Sequence, residues 1–154
     1  MATVLVTGAS GMLGQHLVPM LENRGYQVLT PSRDEVDLTD AAATSAYIKS
    51  KRIDAVVHCA AYVAGIASSK ASKHHSFDAN LSMGMNLIRS CLDNGISTLL
   101  NVGSATVYPS DAPQPLSEAS LGQGAFEGPI EGYALSKYVC LLYTSPSPRD
   151  LAVS

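Results

Sequence analysis

Tyr133 and Lys137 stand in "EGYALSK", four residues apart and therefore on one face of a helix. A lysine ammonium beside a phenol favours the phenolate and lowers its pKa. Such a tyrosine exchanges a proton with a carbonyl or an alcohol near neutral pH. Ser104, in "VGSATVYP", leaves the end of an apolar run, where its hydroxyl is placed to hold a substrate oxygen. Each residue alone has a plainer explanation. A Tyr and a Lys at this spacing are a common amphipathic helix pair, and a serine at a strand end is a common turn residue. The case for chemistry rests on all three standing behind a glycine motif.

That motif is "VTGASGMLG", with Gly8, Gly11 and Gly14 following a short β-branched run and opening a helix. Glycine triplets alone are weak signals. Here the first permits a tight turn, the second lets backbone N–H groups approach a pyrophosphate, and the third lets helix and strand pack closely. The helix N-terminus adds partial positive charge. The expected cofactor site comprises Gly8, Ser10, Gly11, Met12, Leu13 and Gly14. The next apolar run ends in "LTPSRDE". An acidic residue at that point suits a free ribose 2′-OH, whereas an arginine suits a 2′-phosphate. Arg33 beside Ser32 favours NADP over NAD, with a solvated arginine beside Asp34 and Glu35 as the alternative. Asp37 and Leu38 are placed to meet the adenine, although Asp37 also suits a cap or turn.

The elements that must position these residues alternate. Strands are expected over 2–7, 26–30, 53–59 and 98–102. Helices are expected over 12–23, from an N-cap at Thr39 to Ser50, over 77–94, and from about Glu131. Residues 108–132, rich in Pro, Gly and Ser, form a long loop of the kind that is usually functional. Strand–helix alternation with right-handed crossovers gives an α/β, doubly wound parallel sheet of the Rossmann type, here incomplete. Ligands of such sheets sit at the carboxyl ends of the strands.

The chain resembles the extended short-chain dehydrogenase/reductase family, on "VTGASGMLG", "SRDEVDLTD", "HCAAYVAGI", "DANLSMGMNLI", "GSATVYPSDAPQPLSE" and "EGYALSK". "VAGI" and "YP…APQPLSE" resemble most the branch of NADPH-dependent epimerase-reductases that convert GDP-4-keto-6-deoxy-mannose to GDP-L-fucose. The resemblance implies that Ser104, Tyr133 and Lys137 are catalytic and that Lys137 also holds the nicotinamide ribose. It implies that Ala60 and Ala61 line the cofactor channel. A nucleotide-sugar substrate, a GDP-sugar in the first place, and a homodimeric parent enzyme are implied as well. Asn80 and Asn86 fall at recurring family positions and are otherwise read as solvated or capping amides. In two places the sequence departs from this branch. Thr106 stands where these enzymes place a cysteine active in epimerisation, and a threonine hydroxyl is too weak an acid for that step. Tyr62 replaces an expected lysine. A sugar-nucleotide 4-epimerase or dehydratase remains an alternative, as does a non-catalytic NAD(P)-binding sensor, which would not need a tuned phenol.

Family members continue past Lys137 into a C-terminal substrate domain. By this reading residues 1–139 are the N-terminal part of the NAD(P)-binding domain, and the substrate domain is absent. The tail "CLLYTSPSPRD" matches no family segment and reads as a translated transposase sequencing adapter. Native sequence is expected to end at Val139, with 140–154 a non-native tail, and the fragment is expected to be marginally stable and catalytically silent. A natural Pro/Ser-rich tail is the other reading.

Bulk properties narrow the classes. The chain has 154 residues, 46% apolar and 15% charged, enough to bury one core. A net charge of −3 offers no electrostatic draw toward nucleic acid or an anionic membrane. No apolar run reaches roughly 18 residues, and no basic-then-apolar leader opens the chain. Cys59, Cys91 and Cys140, an odd and unpaired set, suit reduced thiols in the cytoplasm. His58 lies in a buried run and reads as core. His74 and His75 lack partner ligands, so no metal is expected.

Overall fold

The computed structural model describes residues 1–63 and 73–144. Three segments of the sequence reading lie wholly or partly outside them: the "AGI" of "VAGI", the stretch just before His74, and the tail beyond Thr144.

Strand β1 (Thr3–Thr7) is buried along its whole length, which its β-branched residues suit. Helix α1 (Met12–Asn23) follows, then β2 (Gln27–Leu29), α2 (Ala41–Ser50), β3 (Ala55–His58), α3 (Lys73–Asp93), β4 (Leu99–Asn101) and α4 (Glu131–Thr144). Short 3-10 turns at Ala105–Val107, Glu118–Ser120 and Gly128–Ile130 punctuate the long loop. The four strands are parallel in the order β2-β1-β3-β4. The strand order reverses at β1, so right-handed crossovers put α1 on one face and α2 and α3 on the other. The expected doubly wound sheet is present.

The core lies on the α2/α3 face. Leu5, Val56 and Leu99 are register partners there, packed with Ile48, Ile53, Leu87 and Cys91. Helix α4 lies against α3 at two close approaches. A Cβ at Gly84 would meet Cys140 Sγ, and one at Gly132 would meet the Lys73 carbonyl. Lys73 and Glu131 add an exposed ion pair at 3.4 Å. The opposite face is barer: α1 buries only Gly14 along its length, and Leu100 on β4 is 60% exposed.

One boundary differs from the expectation in an instructive way. The N-cap of α2 is Asp40, whose Oδ1 accepts from the Ala42 and Ala43 N–H groups at 2.8 and 3.0 Å. Thr39 lies one residue before the cap, with its N–H and its hydroxyl both donating to Asp37 Oδ1. Helix α3 also starts four residues earlier than its apolar pattern indicates, at Lys73 rather than Phe77.

Candidate active site

The carboxyl ends of β1 and β3 open on a cavity of about 440 Å³. Gly8, Ser10, Gly11, Arg33, Asp37, Leu38, Ala60 and Ala61 all line it. Gly8 has φ +70°, and a Cβ there would lie 2.6 Å from the Ala60 backbone nitrogen. The turn and the β3 loop thus touch backbone to backbone, which only glycine permits. Gly14 packs as closely against the turn itself, where a Cβ would collide with the Gly8 carbonyl and Ala9. Met12, Leu13 and Gly14 lie beyond the cavity wall in the first turn of α1. Gly11 caps that helix without a side-chain hydrogen bond. First-turn N–H groups are therefore left for an anion at the cavity mouth.

The loop after β2 is held by local bonds. Glu35 Oε2 accepts from the Ser32 N–H at 2.8 Å, and Ser32 Oγ accepts from the Glu35 N–H at 3.3 Å. This reciprocal capping fixes the backbone that presents Arg33 to the cavity. Asp37 is a turn residue as well as a cavity residue. The hydrogen bonds from Thr39 hold its carboxyl below the usual range, with Arg33 adding to the effect. Asn86 ties this loop to α3, its Nδ2 donating to the Leu38 and Thr39 carbonyls, each at 3.0 Å.

Asn80 does the same for the β3 loop. It is buried, accepts from the Tyr62 N–H at 2.8 Å, and donates to the Tyr62 and Ser76 carbonyls at 2.9 and 2.8 Å. Neither asparagine is a solvated or simple capping amide. Both anchor cavity loops. Tyr62 in turn meets His75 edge-on, with ring centroids 4.7 Å apart, and both line the cavity along with Cys59, Ala79 and Met83. This wall was not legible in the sequence. Tyr62 stood out as a substitution and His75 as a lone histidine, but nothing in their spacing announced that they touch.

The residues expected to do chemistry stand outside this cavity, around the end of β4. Lys137 is 6% exposed, and its Nζ donates to the Val102 carbonyl at 3.0 Å. Burial lowers its pKa, an effect that the nearby Cys140 and Cys59 thiols partly offset. The ammonium lies 5.9 Å from the centre of the Tyr133 ring. Ser104, two residues after Val102, caps the 3-10 turn that packs against α4. Its Oγ sits 2.9 Å from Thr106 Oγ1 and accepts from the Thr106 N–H at 3.3 Å. Lys137, Tyr133 and the Ser104 turn are thus gathered at one strand end. His58, as expected, belongs to the core at 3% exposure. Burial raises the pKa values of Cys59 and Cys140 and pushes Cys91 up to about 11, so these thiols are poor nucleophiles.

Residues 4–146 match the family model "NAD dependent epimerase/dehydratase family". The chain belongs to this family. It is 36% identical to a GDP-L-fucose synthase of Azorhizobium caulinodans over 90% of its own length and 44% of the relative's. It is 35% identical to a GDP-L-colitose synthase of Yersinia pseudotuberculosis, over 87% of this chain and 44% of that one. Among solved structures, a GDP-mannoheptose C4 reductase from Campylobacter jejuni with NADP bound superposes with a TM-score of 0.88 at 26% identity. That match covers 92% of this chain and 45% of the reductase. The chain therefore spans less than half the length of the relatives it matches.

Proposed function

We propose that this chain is the N-terminal, cofactor-binding part of an NADP-dependent nucleotide-sugar epimerase/reductase whose substrate is a GDP-4-keto-6-deoxy-sugar. The observation that carries the reading is the cavity at the β1/β3 strand ends, where Arg33 and the unshielded N-terminus of α1 offer two separate sites for phosphate. The GDP-sugar enzymes among its relatives support the substrate class.

The residues fit the cofactor. Gly8 and Gly11 leave room for a pyrophosphate against backbone, and Ser32 and Arg33 suit a 2′-phosphate. Asp37 and Leu38 face the adenine end, and Ala60 and Ala61 wall the channel toward β4. NADPH, when bound, supplies the hydride. Lys137, fixed by the Val102 carbonyl, places its ammonium beside the Tyr133 ring, 5.9 Å from its centre. Tyr133 passes its proton to the keto oxygen as that oxygen gains charge. The Ser104 hydroxyl, oriented by Thr106, holds the same oxygen. Titrating the chain with NADPH and NADH tests the cofactor assignment: NADPH is expected to bind tighter, and tighter NADH would overturn it.

One observation favours a second reading. Thr106 donates or accepts a hydrogen bond with Ser104 and offers no acid group for epimerisation. A 4-epimerase or dehydratase of the same family would have no use for a cysteine there. In the complete enzyme, product analysis with GDP-4-keto-6-deoxy-mannose and, separately, with GDP-mannose separates the two. Net NADPH consumption with the keto-sugar supports the reductase, and GDP-mannose epimerised or dehydrated without net cofactor consumption supports the second reading.

A further inference from the structure

The loop of residues 108–130 joins the two elements that carry the expected chemistry. It leaves the 3-10 turn that Ser104 caps (Ala105–Val107) and returns through the turn at Gly128–Ile130 to α4, which carries Tyr133 and Lys137. Most of it faces solvent, and residues 113–119 and 122–125 are exposed throughout. Its hydrogen bonds among the described residues are local. The Ser120 N–H donates to the Ser117 carbonyl at 2.8 Å, and the Leu121 N–H to the Glu118 carbonyl at 3.1 Å. Bonds of that kind shape turns and leave a loop free to lift from the body of a protein.

Packing holds it instead, in two places. At the neck, Gly124 lies against Pro109, where a Cβ would come within 3.0 Å of Pro109 Cβ and 3.2 Å of its Cγ. Farther out, Tyr138 of α4 meets the loop twice. Its ring faces that of Phe126, with centroids 5.7 Å apart and planes inclined at 56°, an attractive aromatic pairing. Its hydroxyl end lies over Gly122, where an added Cβ would collide with it. Gly122 also has φ +67°, a conformation that side chains disfavour. Both demands suit glycine alone. Phe126 and Tyr138 are half-buried, whereas Ala125 and Glu127 beside Phe126 are exposed.

Tyr138 immediately follows Lys137, so the helix that brings the ammonium to the Val102 carbonyl also seats the loop. None of residues 108–130 lines the nucleotide cavity, which leaves the loop placed for substrate rather than for cofactor. We propose that Tyr138 is a positioning residue. Through Gly122 and Phe126 it clamps the outer part of the loop to α4, and the clamped loop is a fixed rim beside Ser104 and Tyr133 against which a nucleotide-sugar is held. The rim's part in substrate binding rests on the function proposed above. The clamp itself does not.

NMR of the free chain reads the clamp. The Tyr138 ring current should displace the Gly122 α-proton signals, and Tyr138→Leu should abolish that displacement while the amides of Gly8 and Ala60 stay in place. Limited proteolysis within residues 113–125 should speed up about tenfold in Tyr138→Leu, the scale of one lost aromatic pair. Tyr138→Phe keeps the ring and should restore both readouts. If Tyr138→Leu does not fold, Gly122→Ala forces the same contact apart from the loop side and should give the same two changes. Undisplaced Gly122 signals in the wild type, or a loop cleaved equally fast in all variants, would overturn the clamp. In the complete enzyme, Tyr138→Leu should raise KM for the GDP-keto-sugar about tenfold and Tyr138→Phe should recover it. NADPH affinity should stay within about twofold in both. A released loop with an unchanged KM overturns the positioning role. An intact clamp in an enzyme that turns over no GDP-sugar supports the clamp and removes the nucleotide-sugar reading.

Discussion

Around the glycine turn, backbone packs against backbone: Gly8 on Ala60, Gly14 on Gly8 and Ala9. Around the end of β4, a single buried ammonium hangs on one carbonyl and faces one ring at 5.9 Å. The proposed nucleotide half is fixed by contacts that tolerate no added atom. The proposed catalytic half is fixed by side-chain bonds from α4 to one strand end. Errors in the first half should therefore unfold the site, and errors in the second should change chemistry while leaving the cavity intact.

Gly8→Val is the strongest way to break that contrast. A Cβ at φ +70° would press into the Ala60 backbone, and β-branching worsens the strain. A loss of about 4 kcal/mol in denaturant unfolding is expected, together with loss of cofactor binding. A variant that folds and binds normally would show that the turn and the β3 loop are not locked together.

His58 lies between the two halves and gives an effect of comparable size, through pH. Its pKa falls from 6.5 to about 3, first by burial and then by the Lys137 charge. Below pH 6.5 the unfolded chain takes up a proton that the folded chain refuses. Stability should then fall as pH drops from 6.5 toward 3, by up to about 1.4 kcal/mol per pH unit from this group. Urea midpoints measured across that window check it, and His58→Phe should flatten the slope.

Asn80→Ala tests the anchoring of the cavity wall. It leaves the Tyr62 N–H without its acceptor and takes one donor away from each of the Tyr62 and Ser76 carbonyls. A cost of about 2 kcal/mol is expected by the same unfolding measurement, with weakened cofactor binding because Tyr62 and His75 lose their seat. Asn80 also shows where sequence reading ends. The glycine motif, the strand–helix alternation and the Tyr133/Lys137 spacing were legible because each is local: a turn, a period, one helical turn. Asn80 and Asn86 act on loops 18 and 48 residues away, and the Tyr62–His75 contact forms between separate elements. The Thr39 cap failed for a related reason. Two neighbouring aspartates competed for the local N–H groups, and Asp37 captured Thr39 while Asp40 took the helix.

Arg33→Ala sharpens the contrast from within the nucleotide half, since it removes a charge and no scaffold. On the proposed reading it should weaken NADPH about tenfold, the scale of one charged hydrogen bond, and leave NADH nearly unchanged. Comparative fluorescence titration reads both. Equal losses for the two cofactors would mean that Arg33 supports the fold of its loop rather than the 2′-phosphate.

Tyr133→Phe should have the smallest effect on binding, and that is its use. The hydroxyl lies at the β4 end, outside the cavity lined by the glycine turn and Arg33. Removing it costs the nucleotide half no contact, so NADPH affinity should stay within about twofold, the spread of neutral surface changes. On the proposed reading the same substitution should abolish turnover in the complete enzyme, because Tyr133 is the group that gives the keto oxygen its proton. A large loss of NADPH affinity in Tyr133→Phe would mean that the two halves are coupled through the ligand itself, and the division between a backbone-built nucleotide site and a side-chain-built catalytic site would have to be redrawn at Lys137.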